Sequence, residues 1–300
     1  MSVLHFKPEL WSKVLLGALP KQLVYGGDMV VNRDYDGEIA GPGDTVHISS
    51  LADPTISNYT PGVNLTYQQI VDAGQSLIID QAKAWAVQVD DVDKRQAAGD
   101  MQSWMEGRAA YRVADTADQF LAAQYVSVAS ANVLGSSASP LTPAVFSSAT
   151  SHPADFYTQV ILPLKVLLGQ ANVPNDGGRY IIVPPWSIGL IEQTIGFVQT
   201  ATPKGDDVLQ NGFVGTLAKF NILESNNVVQ TVAGGAGTGV WAIQAGHRMA
   251  ITYGEQIVQT EALRAQATFA DLVRGLHVYG AKVVHPEALA VAYVQRPVGI

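Results

Sequence analysis

The chain has 300 residues, of which 47% are hydrophobic and only 15% charged, with a net charge of -8. That length suffices for one or two sizeable cores, and so sparse a charge content implies that much of the surface is covered, as in large subunit interfaces. The acidic balance, with no basic residue between Arg112 and Lys165, argues against a dedicated nucleic-acid groove, and the absence of cysteine excludes disulfides and thiolate metal sites.

Pro8 opens an amphipathic helix with Leu10, Trp11, Val14, Leu15 and Ala18 on one face, suited to docking on a core or a neighbour. The apolar run Val14–Leu19 is too thin for a signal peptide, and no stretch of about 18 uncharged apolar residues exists, so no membrane span is expected. From Gly26 to Thr66, Pro42, Pro54, Pro61 and frequent glycines separate strand-like runs such as Thr45–Ile48, which reads as a hairpin arm. Asp34, Asp36 and Glu38 alternate there, so on a strand they share one face, either as a solvated or partner-facing acidic edge or as a calcium site. Leu77–Val89 reads as the arm's return strand. A two-stranded arm is marginal in water, so it is expected to lie on another molecule.

No proline occurs from Gly62 to Ser139, and Met101, Met105, Ala109, Val113, Ala117, Phe120, Leu121 and Val128 keep a helical spacing. If Asp93–Ala131 is one helix, it is roughly 58 Å long. Asp90, Asp91 and Asp93 would complement its N-terminus, with a metal site as the rival reading, and Gly99 and Gly107 are places for a bend. Leu134–Pro153 is a connector rich in small residues. A helix is expected over Asp155–Gln170, kinked or tightened by Pro163, then a strand at Arg179–Val183 and a helix over Trp186–Val198. Asn211-Gly212 marks a turn, Lys219–Glu224 a strand, Gly234–Gly239 a flexible loop, and Val240–Ala245, Leu276–Val284 and Ala288–Gln295 further strands. Helices and strands mix without regular alternation, which predicts an α+β fold with two lobes.

Chemistry is sparse. The run Gly234-Gly235-Ala236-Gly237-Thr238-Gly239 resembles a dinucleotide fingerprint, but Val240 stands where the third glycine belongs and a strand follows. The six histidines are never three or four apart, and no nucleophile elbow occurs. No enzyme activity, cofactor or metal is expected.

Several stretches carry a resemblance: FKPELWSKVLLGALPKQLVYGGDMVVNRDYDGEI, GDTVHISSLADPTISNYTPG with LIIDQAKAWAVQVDDVDKRQA, GRYIIVPP, NGFVGTLAKFNILESNN, and DLVRGLHVYGAKVVHPEALAVAY. Together they span most of the chain, which resembles a tailed-bacteriophage major capsid protein of the Hong Kong 97-type fold, the fold that encapsulin nanocompartments also use. The resemblance implies an N-terminal arm (1–32), an extended β-hairpin loop (33–89), a peripheral domain with a long spine helix (90–170 and 266–300) and an axial domain (171–265). It implies self-assembly into hexamers and pentamers of an icosahedral head enclosing double-stranded DNA, bound without sequence specificity. A separate scaffolding protein and a portal are the expected partners, and the expected location is the virion, assembled in host cytoplasm. Trp11, Arg33, Asp34, Asp36, Glu38 and Tyr59 are the expected assembly-interface residues, and glycines flanking the arm would let it swing. No lysine lies between Lys21 and Lys83, so a lysine-to-asparagine crosslink at the hairpin tip is not expected. An encapsulin-like shell is the alternative, and an enzyme using Asp206-Asp207 or the glycine loop is the rival of another class.

Overall fold

The structure, a computed structural model, describes residues 24–34, 45–51, 72–90, 101–143, 156–192, 213–265 and 269–298, with isolated positions between 54 and 69. In chain order the strands are β1 (Thr45–Leu51), β2 (Asp72–Ile78), β3 (Gln81–Asp90), β4 (Val133–Leu134), β5 (Arg179–Val183), β6 (Phe213–Leu217), β7 (Phe220–Glu224), β8 (Gln230–Val232), β9 (Val240–His247), β10 (Ile251–Arg264), β11 (Ala270–Val283) and β12 (Leu289–Gln295). The helices are α1 (Met101–Ala122), α2 (Leu162–Gln170) and α3 (Pro185–Glu192).

Among the described residues there are three sheets: the β1–β2 ribbon, a three-stranded antiparallel sheet β10-β11-β3, and a seven-stranded sheet ordered β4-β12-β9-β5-β7-β6 with β8 on β9. Leu77–Val89 is therefore not a single return strand. β2 pairs with β1, with Ile78 opposite Thr45, whereas β3 pairs with β11 from Gln81 opposite Tyr279 to Asp90 opposite Ala270. The break falls at Ile79-Asp80, where Ile79 is buried and Asp80 is exposed. The alternation of buried Leu77 and Ile79 with exposed Ile78 and Asp80 runs unbroken through the division, so the pleat does not mark it; the change of partner coincides with the close approach of Gly280 to Ile78 and Ile79.

The long helix also ends earlier than its apolar spacing suggests. α1 stops at Ala122, so its 22 described residues rise about 33 Å, and a 3-10 turn over Ala123–Ser127 follows. Tertiary contacts draw the next residues out of the helix. Tyr125 meets the Tyr293 ring edge-on at 6.3 Å, and Asn132 Nδ2 donates to the Glu287 and Leu289 carbonyls at 2.7 and 3.0 Å. Asp91, Asp93 and Gly99 lie outside the described residues. Before α2 the chain makes a π-helical turn, Tyr157–Ile161, and Pro163 sits in the first turn of the helix proper. The wider turn accommodates a residue that cannot donate an N–H and crowds the preceding carbonyl.

All five residues of β5 are buried, as its continuous apolar run predicts. It lies parallel to β7 and antiparallel to β9 at the centre of the large sheet. The final strand, β12, pairs with β9 over Leu289–Gln295 and takes β4 on its other side. The C-terminal segment is thus divided, β11 joining β3 and β10 while β12 joins the sheet built on residues 179–247. The glycine run forms a turn between β8 and β9, in which Gly239 N donates to Gly235 O at 2.9 Å and Gly237 N to Arg296 O at 2.7 Å. It leads into a strand rather than a helix, so it lacks the phosphate cradle of a dinucleotide site.

β6 and β7 are joined by Ala218 and Lys219, both left-handed at φ 52° and 69°, with Leu217 opposite Phe220. Two left-handed residues in a two-residue loop define a turn that favours Asn-Gly. The double substitution Ala218→Asn with Lys219→Gly should stabilise the subunit by about 1 kcal/mol, since each non-glycine left-handed residue is costly; a urea midpoint that stays put or falls would contradict the turn assignment.

Candidate assembly surface and its internal anchor

Residues 24–34 cross from α1 to β10 and are fixed at both ends. Tyr25, Val30 and Val31 are buried in the main core, which also holds Val113, Ala117 and Leu121 of α1. At the first end, Asp118 Oδ1 accepts the N–H groups of Val24 and Tyr25 at 2.9 and 2.7 Å. Its other oxygen accepts from Asn227 Nδ2 at 3.0 Å, and Asn227 also donates to Asp115 at 2.9 Å. One carboxylate therefore ties together the N-terminal segment, α1 and the β7–β8 connection. Burial pushes the Asp118 carboxyl above its ordinary value, and the Asn227, Tyr25 and Val24 donors oppose that rise.

At the second end, Asn32 pairs with the start of β10. Its N–H donates to Ile251 O at 2.8 Å and its carbonyl accepts from Tyr253 N at 2.9 Å. Arg33 then turns inward. Its guanidinium donates to Glu255 Oε1 at 2.7 Å and to Gly26 O at 2.9 and 3.1 Å, and it lies 5.1 Å from the centre of the Tyr253 ring. The Tyr253 hydroxyl donates to Glu255 Oε2 at 2.7 Å, and buried His277 brings Nε2 to 3.5 Å from that oxygen, a contact rather than a well-formed hydrogen bond. Burial alone would raise Glu255, but His277, the Arg33 charge and the Tyr253 hydroxyl outweigh it and hold the carboxyl at about 2.

Of the residues expected at an assembly interface, Arg33 is thus engaged within its own chain, while Asp34 is exposed with its N–H donating to Asn32 Oδ1 at 2.9 Å. Trp11, Asp36, Glu38 and Tyr59 lie outside the described residues, as do Asp206 and Asp207. The sequence reading missed Asp118, Glu255 and His277. Asp118 had a legible signal, because it interrupts the apolar face formed by Ala114, Ala117 and Leu121. Glu255 had a weaker one, sharing a strand face with Tyr253. Among the described residues no group of three or more acidic or histidine side chains is placed to hold a metal. Several large apolar side chains stand exposed: Ile56 and Tyr67 between the hairpin strands, Ile78 at its root, Phe269 at the tip of the β10–β11 pair, and Val166 on α2.

A sequence profile of the family described as phage capsid protein matches residues 76–292. The chain belongs to the phage capsid protein family. A solved structure from Mycobacterium phage Che8 is 33% identical to this capsid protein, covering 97% of this chain and 98% of that one at a TM-score of 0.66. The capsid structure of the cyanophage P-SCSP1u matches at 17% identity and a TM-score of 0.63, covering 86% and 85%. A virus-like particle from Pyrococcus furiosus matches at 13% identity and a TM-score of 0.55, covering 95% and 98%. Comparison with curated sequences gives no match. The capsid protein has the α+β Hong Kong 97-type fold.

Truncating one partner of the Arg33–Glu255 pair leaves the other charge buried without its main partner, so Arg33→Met or Glu255→Met should each cost on the order of 3 kcal/mol, and the double variant less than either. The acid response follows from the lowered carboxyl. Glu255 stabilises the fold fully above its ordinary value of 4.5 and loses that contribution as pH falls toward about 2. Urea unfolding of wild type and Glu255→Gln should therefore show a stability gap at pH 7 that narrows below pH 4.5; a gap constant with pH would count against the ion pair.

Proposed function

We propose that this capsid protein is the major coat subunit of a tailed-phage head, assembling as hexamers and pentamers into an icosahedral shell around double-stranded DNA. The observation that carries this reading is the β1–β2 ribbon. It pairs with no third strand among the described residues, and Ile56, Tyr67 and Ile78 stand exposed in or beside it. The ribbon's root packs on β11 of its own chain through Leu77, Ile79 and Val278, and the exposed apolar residues beyond that seat are ones that a neighbouring copy in a closed symmetric shell would cover.

In this reading the residues before 33 form the arm and the β1–β2 ribbon the extended loop. α1 with the β10-β11-β3 sheet makes up the peripheral domain, and the seven-stranded sheet, including β12, the axial domain. A separate scaffolding protein and a portal complete the assembly, which takes place in host cytoplasm before the subunit resides in the virion. The net charge of -8 suits a wall that encloses DNA without adhering to it.

Electron microscopy of particles from the native source, with absorbance at 260 and 280 nm, tests the proposal. DNA-filled shells support it. Shells filled with protein would shift the reading to an encapsulin-like nanocompartment, and a small oligomer under every assembly condition would overturn both. With no lysine between Lys21 and Lys83, the shells should also run as a single monomer band in hot detergent; a covalent ladder would refute a shell held by non-covalent contacts alone.

A further inference from the structure

We propose that the β1–β2 hairpin is a fixed strut, seated on β11 at Gly280 and held by a small core of its own, so that each subunit presents its hairpin at an angle built into the chain. Ile48, Leu77, Ile79 and Val278 form a buried cluster separate from the main core, with Leu276 and Val284 packed against it. Three of the four buried members come from the hairpin and its exit, and the fourth from β11. The cluster therefore exists only while the hairpin lies on that strand.

Backbone contact fixes the position more tightly than side chains could. A Cβ on Gly280 would strike the Ile78 carbonyl oxygen and come within 2.9 Å of the Ile79 Cα. Both are main-chain atoms that cannot rotate aside, so glycine is required here for close approach of two backbones. Two polar clamps flank the seat: Lys282 Nζ donates to Ser76 O at 2.9 Å, and Gln75 Nε2 donates to Val284 O at 3.2 Å. Only Ile79 and Asp80 separate β2 from β3, and Gln81 is already paired with Tyr279 of β11. The hairpin's exit is consequently pinned on both sides of the seat. Gly26 and Gly27, expected to help the arm swing, instead lie in the docked turn, where Gly26 O accepts from Arg33 and Gly27 O from Val30 N and Val31 N.

The consequence for shells rests on the coat-subunit reading: a hairpin with one angle favours one subunit curvature, hence one shell diameter. Hydrogen exchange on the full-length subunit tests the strut itself, and electron microscopy of assembled particles tests the consequence. In wild type, the amides of Gln75–Ile79 should exchange far more slowly than an unfolded chain. Gly280→Ala should accelerate exchange across β1 and β2 by about tenfold or more while β5, β9 and β12 keep their protection, and should broaden the distribution of shell diameters. Val278→Ala trims the small core without touching the seat, and should accelerate the same amides should the alanine at 280 prevent folding. Hairpin amides that exchange at the unfolded rate in wild type, or that respond to neither variant, would overturn the strut. Faster hairpin exchange with shells still of one diameter would overturn its link to curvature. A wild-type subunit that forms no shell would count against the coat reading, and the exchange data would still decide the strut.

Discussion

β11 is the strand on which the arrangement depends. Over Ala270–Val283 it pairs with β10 along one edge and β3 along the other, so no part of it is a free edge over the length that both neighbours share. It also carries Val278 into the small core and Tyr279 against Phe120 of α1, whose ring centroids lie 5.3 Å apart. Hairpin, helix and sheet thus meet on fourteen residues. Because successive side chains of a strand face opposite ways, Val278 and Tyr279 can serve two separate cores at adjacent positions. The same alternation puts His277 on the side of Tyr279 and so beside Glu255.

A second constraint is polar and buried. Glu255 and Asp118 are carboxylates in largely apolar surroundings, an arrangement that costs free energy unless every oxygen is matched. One oxygen of each is matched by residues 24–33, through the Arg33 guanidinium and the N–H groups of Val24 and Tyr25, and the other by Tyr253 or Asn227. The apolar contacts of Tyr25, Val30 and Val31 would hold that segment in several registers almost equally well, since burial is not directional. Hydrogen bonds to two fixed carboxylates select one register. Specificity rather than net stability is the physical return on such pairs, because an isosteric apolar core would often be as stable.

Much of the architecture was legible because local pattern and burial agree. The unbroken apolar run RYIIV became a fully buried central strand, and the segment expected as a helix over Asp155–Gln170 buries Phe156, Val160, Leu164 and Leu168, with Leu167 half-buried, despite Pro163. The elements that escaped the sequence reading are those decided by partners far along the chain. Nothing local distinguishes LIIDQAKAWAVQV as one strand from the same residues divided at Ile79-Asp80, because the division is made by Gly280, two hundred positions later. The ending of α1 at Ala122 reflects Tyr293 and the Leu289 carbonyl, and the place of β12 is set by its seven-residue register with β9. For the candidate surface the imbalance is sharper. Arg33 and Asp34 were singled out as assembly-interface residues, yet Glu255, which gives Arg33 its role, lies 222 residues away.

These features together explain how a chain with 15% charged residues divides its polarity. Some of its charge is spent inside, where Arg33, Glu255 and Asp118 fix the register of the N-terminal segment. The outer positions at the hairpin root, the β10–β11 tip and α2 carry Ile78, Phe269 and Val166 instead. Among the described residues far more large apolar side chains are still buried than exposed, and Asp28, Arg112, Asp176 and Arg274 remain outward as in any folded domain, so the distinction lies in these few outward apolar positions. In a subunit whose exposed apolar groups are covered by identical copies, interior charge sets the geometry of each protomer and exterior apolar surface supplies the attraction between them. The accuracy of the internal anchors then matters more than the strength of any one contact, because an error in the angle of one projecting element is repeated at every equivalent position of a closed assembly.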